Sequence, residues 1–255
     1  MKYLPGLCSM TLRGETAEGV VKIAKRLFLQ GIEWSSKLHA PPGDLLRAEA
    51  IRKICHDEGV SAPSYGCYFR ADDEHESVAG IVESALALGA KNIRVWAGSK
   101  ASSASSEDEY EAVASRLRSF CLTAKRAGLT VGLEYHVGTL ADEATGVMAL
   151  IDAVGTDNLY TYWQPRPRFF DVMAAKNEII VVNKKLSHLH VFYGDHQFEQ
   201  FSLESGLNYW RDILFAAQPG EFLDPPYAFL EGVRGHSIDQ LERDAAVLLR
   251  LLTEP

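Results

Sequence analysis

Cysteine is scarce: Cys8, Cys55, Cys67 and Cys121 are the only four in 255 residues, and no Cys-x-x-Cys pair occurs among them. That spacing excludes a disulfide framework and a thiolate zinc site, and it fits a reducing compartment. No stretch approaches the roughly 18 uninterrupted apolar residues of a membrane span, and the opening MKYLPGLCSMTLRGE has no sustained apolar core of a signal peptide. The expectation is a soluble, cytoplasmic protein with no membrane partner. Positive charge is also short: 26 Lys and Arg face 34 Asp and Glu, a formal net charge of -8. Such a chain lacks the broad cationic surface that neutralises phosphate backbones, so no nucleic-acid partner is expected. Finally, no Gly-x-Gly-x-x-Gly follows the first predicted strand, which removes the main support for a dinucleotide-binding sheet.

What the chain does have is a globular composition, 47% apolar and 24% charged. Its strongest pattern is alternation. Short β-rich runs are predicted at Tyr3 to Ser9, Gly31 to Ser35, Val60 to Tyr65, Asn92 to Ala97, Thr130 to Tyr135, Leu159 to Trp163, Leu186 to Phe192 and Tyr227 to Gly232. Between them, apolar residues at three-to-four spacing predict helices over Glu15 to Gln30, Asp44 to Glu58, Glu74 to Leu88, Glu107 to Ala127, Ala141 to Val154, Phe169 to Val181, Ser205 to Ala217 and Ser237 to Leu252. Gly31, Gly59, Gly89 and Gly128 follow helical patterns, where a left-handed residue closes the last turn. Asp44 after Pro41-Pro42-Gly43, and Ser237 with Gln240 three residues on, read as helix starts. Eight strand–helix units of about 32 residues each predict an α/β protein, a (β/α)8 TIM barrel forming one domain over residues 1–255. The Ser-rich run Ser99 to Ser106 then falls in the loop after strand four.

In such a barrel the carboxyl ends of the strands face the active site, and a polar residue ending an apolar strand is costly unless paired, ligating or catalytic. Glu134, Gln164, His190 and Glu231 end or lie in strands five to eight, an oxygen and imidazole set able to surround one divalent metal ion. Mn, Mg or Co suits those donors best, with Zn not excluded by affinity. His188 is the alternative ligand to His190, because both point the same way on one strand. For Glu134 and Glu231 the other reading is a pair of carboxylates salt-bridged to Arg94 or another strand-end cation. Glu33, His39, Tyr65, Arg70, Arg94, His136, His188, Arg166 and Arg234 are candidate substrate-binding residues, the two late arginines as grips for an anion.

The segments GIEW (31–34), HAPPGD (39–44), SYGCYFR (64–70), IRVWAG (93–98), LEYHVGTLAD (133–142), YWQP (162–165), HLHVFYG (188–194) and FLEGV (229–233) make the chain resemble the sugar phosphate isomerase/epimerase family of xylose isomerase-like TIM barrels. The resemblance implies a metal-dependent isomerase or epimerase acting on a sugar, sugar phosphate or hydroxy-ketone through an enediolate. It gives Glu134 and Glu231 the acid/base role, and Glu134, His190 and Glu231 the roles of metal ligands. It also implies a small-molecule sugar or sugar-like substrate, and it makes a homo-oligomer an expectation. At position 164 the chain departs from the pattern: Gln stands where the family has Asp, and Pro165, Arg166 and Pro167 occupy the place of the family's next His. The competing functions are a degenerate barrel that binds a metabolite without turnover and, disfavoured by eight histidines and net negative charge, an endonuclease-like phosphodiesterase.

Overall fold

A computed structural model describes residues 2–72, 77–166, 170–195, 199–220 and 224–253. Among these residues, strands β1 (Leu4–Cys8), β2 (Gly31–Ser35), β3 (Ser61–Gly66), β4 (Asn92–Val95), β5 (Thr130–Leu133), β6 (Leu159–Trp163), β7 (Leu186–Val191) and β8 (Tyr227–Leu230) pair in sequence order. All pairings are parallel, and β8 pairs with β1, which closes the barrel. Helices α1 (Ala17–Arg26), α2 (Leu45–Glu58), α3 (Val78–Leu88), α4 (Glu107–Arg126), α5 (Ala144–Val154), α6 (Val172–Val182), α7 (Leu207–Ala216) and α8 (Ile238–Thr253) each follow the strand of the same number. The expected (β/α)8 architecture is therefore the observed one. No helix among the described residues is long and apolar enough to cross a membrane.

Several joints follow the sequence. Gly59 and Gly89 close α2 and α3 with φ of 69° and 79°, and Gly128 follows α4 at 73°. The Asp44 carboxylate accepts from Arg47 N, and the Ser237 hydroxyl accepts from Gln240 N at 3.3 Å. Ser106 and Glu109 form a reciprocal capping box at the start of α4, so the Ser-rich run ends as a helix cap.

Other expectations are corrected. The αL residue after α1 is Phe28, at φ 58°, not Gly31. Gly31 is instead a packing requirement, because a Cβ there would run into the Tyr227 ring inside the barrel. α1 is shorter than Glu15 to Gln30 because Thr16 caps it and the chain turns at Leu27. α5 starts at Ala144 rather than Ala141, and a 3-10 turn at Leu203–Gly206 precedes α7. Two predicted helix starts, Glu74 and Phe169, lie outside the described residues; α3 and α6 are capped by Ser77 and Asp171. Strands β4, β5, β7 and β8 end one or two residues early because the chain turns into the loops, yet Glu134 N still donates to Val95 O and Glu231 N to Val191 O. These bonds hold both glutamates at the barrel mouth.

Side chains alternate along each strand, so the inward set fills the barrel in layers. Tyr162, Tyr227, Phe229 and Cys8 pack together in one cluster, with His188 against the Tyr162 and Phe229 rings. The polar residues from β2, β4, β5, β7 and β8 lie above that apolar floor.

Candidate active site

Glu33 is buried at 2% exposure and has several partners in the cluster. It accepts from Arg94 Nε at 3.0 Å and from Ser64 Oγ at 2.9 Å, and it lies 3.2 Å from His190 Nε2. The Cys8 thiol also reaches it, at 3.8 Å. Burial by itself would raise the Glu33 carboxyl, but Arg94 and His190 outweigh it and hold the group below the usual carboxylate range.

Arg94 turns its Nη1 to the Glu134 carboxylate, so one guanidinium bridges two buried acids. Burial opposes its charge, but Glu134 and Glu33 more than restore it, and the guanidinium is held above its ordinary value. Its seat exists because position 66 is glycine: a Cβ there would sit 2.8 Å from Arg94 Nη2 and 3.1 Å from Glu33 Oε1.

His190, fully buried, has a different partner on each ring nitrogen. Nδ1 lies 2.8 Å from Gln164 Oε1 and 3.1 Å from Glu231 Oε2, while Nε2 faces Glu33. Burial disfavours the imidazolium, but Glu231, Cys8 and Glu33 together outweigh it and the histidine is raised well above its ordinary value. Glu231 moves the other way: burial pushes it up, His190 pulls it down, and the result is below the carboxylate norm.

Neighbouring ligands on a small divalent cation, each about 2.1 Å from it, are about 3 Å apart. The separations from His190 Nδ1 to Gln164 Oε1 and Glu231 Oε2 match that spacing. Two oxygen acceptors aimed at one ring nitrogen suit a cation better than they suit each other. Donor atoms of Cys8, His190 and Glu231 also lie within 4.8 Å of one another. The residues present therefore fit a divalent ion.

Above this floor opens a cavity of about 470 Å³. Arg94, Glu134, His136, Gln164, Arg166 and Glu231 reach its wall, with Tyr68, Trp96, Tyr135, Phe170 and Phe192 as aromatic lining. The His136 ring stacks on Trp96 with centroids 4.3 Å apart, and the Arg70 guanidinium lies 4.1 Å from the Trp96 ring centroid.

Six of the nine residues expected to bind substrate do not line the cavity. Tyr65 donates its hydroxyl to Ala40 O at 2.7 Å in the layer between strands and helices. His39 bonds Ser9 Oγ and Glu15 O behind the barrel wall. Arg70 backs Trp96 rather than lining the cavity, and Arg234 is exposed outside it. Glu33 lies beneath the cavity lining. His188 is a layer deeper, where Nδ1 accepts from Tyr227 N at 2.9 Å, and burial lowers it to about 3. Arg166 is on the wall but is ion-paired with Glu178. Glu134 is ion-paired with Arg94 and shares the cavity lining with Gln164 and Glu231.

Cys8, Ser64 and Tyr162 escaped the sequence reading. Ser64 Oγ lies 2.7 Å from Tyr162 Oη, which donates to Asn92 Oδ1. The rule applied to ionisable strand residues would have found Cys8 and Ser64, had it been extended to thiols and hydroxyls.

The sequence matches the model of the xylose isomerase-like TIM barrel family over residues 21–219. The chain belongs to that family. No curated protein matches the sequence. Among solved structures, this xylose isomerase-like barrel is similar to the probable 3-DHS dehydratase AsbF of Bacillus anthracis, at 18% identity and TM-score 0.78, covering 98% of this chain and 99% of that one. It is similar to the 3-keto-D-glucoside 4-epimerase YcjR of E. coli, at 17% identity and TM-score 0.72, covering 98% and 99%. It is also similar to the D-allulose 3-epimerase of Methylomonas sp., at 13% identity and TM-score 0.71, covering 98% of both chains. Identities this low speak for the shared xylose isomerase-like fold.

Proposed function

We propose that this protein is an isomerase or epimerase that moves a proton at the carbon beside the carbonyl of a small sugar or hydroxy-ketone. The observation that carries the reading is the convergence of Gln164, His190 and Glu231 at about the spacing of neighbouring ligands, next to Glu134, under one cavity. Gln164, His190 and Glu231 would hold a divalent cation, Mn, Mg, Co or Zn by donor type. When bound, that cation supplies Lewis acidity that lowers the pKa of the C–H bond beside a carbonyl. Glu134 and Glu231, both on the cavity wall and nearest the His190 and Arg94 cluster, take and return the proton. Arg94, cationic at all relevant pH, orients Glu134 and favours negative charge growing on a substrate oxygen. The aromatic wall accepts the C–H faces of a sugar ring or chain.

A second reading has its own support. His136 Nδ1 lies 2.7 Å from the Val137 carbonyl oxygen, an arrangement that makes Nδ1 the donor and Nε2 the acceptor on a residue of the cavity wall. An Nε2 so fixed suits taking the proton from the carbon beside a carbonyl and then giving that same proton to a departing hydroxyl, which leaves as water; that would make the enzyme a dehydratase, and AsbF is described as a probable one.

One experiment tests both. Protein loaded with Mn(II) is incubated in D2O with a panel of ketoses and hydroxy-keto acids and followed by NMR. Deuterium entering one carbon beside the carbonyl, lost on chelation, supports the first reading. Elimination of water supports the second. Ligand binding that survives chelation, with neither reaction, overturns both in favour of a binding protein.

A further inference from the structure

Glu33 sits beneath the cavity rather than on its wall, yet it touches the one histidine of the cluster. An imidazole cannot donate from both nitrogens and still ligate through one. Whichever nitrogen keeps its hydrogen decides which is left for a cation. On the Nδ1 side of His190 stand Gln164 Oε1 and Glu231 Oε2, at 2.8 and 3.1 Å. On the Nε2 side stands Glu33 Oε1, at 3.2 Å, a carboxylate fixed by Arg94 Nε and Ser64 Oγ and unable to swing away.

We propose that Glu33 is a positioning residue that holds the His190 hydrogen on Nε2 and so keeps Nδ1 open toward Gln164, Glu231 and a divalent cation. The proposal rests on the cation reading above and goes beyond it. Glu33 acts through the ring, accepting Nε2–H, which raises the basicity of Nδ1. The effect carries unusual weight in this chain because Gln164 brings no charge and Glu134 is turned to Arg94, leaving Glu231 as the carboxylate in contact with the Nδ1 side of His190. A carboxylate outside the ligand set supplies part of what position 164 lacks. If Glu33 were only the counter-ion of Arg94, the Nε2 contact would be incidental and cation affinity indifferent to it.

The test uses the full chain and Zn(II), which is diamagnetic. Titration calorimetry compares the unsubstituted protein with Glu33→Gln, which keeps the side-chain shape and an acceptor oxygen but removes the charge. The expected result is a roughly 10- to 100-fold weaker Zn(II) affinity with the fold intact by circular dichroism. An affinity within about twofold overturns the proposal. Because Glu33→Gln disturbs a buried network, long-range 15N–1H NMR of the unsubstituted Zn(II)-loaded protein gives an independent reading. The expected tautomer of His190 carries its hydrogen on Nε2; a hydrogen on Nδ1 overturns the proposal whatever the variant does. If the unsubstituted protein takes up no Zn(II), the cation reading falls and this proposal with it, whereas uptake that ignores Glu33→Gln removes the proposal alone.

Discussion

Arg94 and Glu134, 40 positions apart in sequence, form a buried ion pair at the floor of the cavity. The same guanidinium reaches back through Nε to Glu33, so a single cation serves two acids. The pair commits one carboxylate oxygen of Glu134 to Arg94 on the same lining that carries Gln164 and Glu231.

Removing that cation is expected to be costly. Arg94→Ala leaves two buried carboxylates without their partner, and the expected loss of stability is roughly 3–5 kcal/mol by urea unfolding, the usual cost of breaking a buried pair from one side. A loss under about 1 kcal/mol would show that the pair is not formed in solution.

Gly66→Ala probes the same pair from the backbone. The new Cβ would stand 2.8 Å from Arg94 Nη2 and 3.3 Å from Glu33 Cγ, so the guanidinium must shift. The expected destabilisation is about 1–3 kcal/mol, typical of overpacking. In the Arg94→Ala background the penalty should shrink, since the crowded partner is gone. Equal penalties in both backgrounds would place the strain elsewhere.

His188 gives the fold a pH dependence of known sign. Burial lowers it to about 3, against 6.5 in an ordinary setting. The unfolded chain therefore binds a proton that the folded chain refuses. The stability contribution is complete above about pH 6.5 and is lost as pH falls toward 3, at up to about 1.4 kcal/mol per pH unit. His188→Asn keeps an acceptor for Tyr227 N and does not titrate. Urea midpoints of the two proteins should converge as pH drops from 7 to 4; parallel curves would show that His188 does not titrate in this way.

Gln164→Glu adds a formal charge to the proposed donor set without changing side-chain length, at an oxygen that in Gln164 lies 2.8 Å from His190 Nδ1. Divalent affinity rises with the charge of the ligands, so Mn(II) binding should tighten about tenfold or more by calorimetry. Unchanged binding would mean that residue 164 does not ligate.

Glu231→Gln removes a proposed proton carrier without changing side-chain volume. Deuterium exchange with any substrate found should slow by roughly 10²- to 10⁴-fold, the usual share of a positioned acid or base. Undiminished exchange would assign the proton transfer to other groups.

Much of this protein was legible in the string of residues, and the reason is that the decisive forces there are local. Helical periodicity, the Asp44 and Ser237 caps and the left-handed Gly59, Gly89 and Gly128 depend on neighbours a few positions away. Strand-end position likewise brought Glu134, Gln164 and Glu231 to the cavity wall, because strand direction and barrel closure send those ends to one mouth. What the tertiary structure alone decided is who partners whom. Glu33 meets His190 across 157 positions, and Tyr65 and His39 bond to groups outside the cavity. Partnership of this kind turns on inter-strand register, on which face of the strand a residue takes, and on space left by a missing side chain, as at Gly66. Those quantities come into being only when the eighth strand closes on the first.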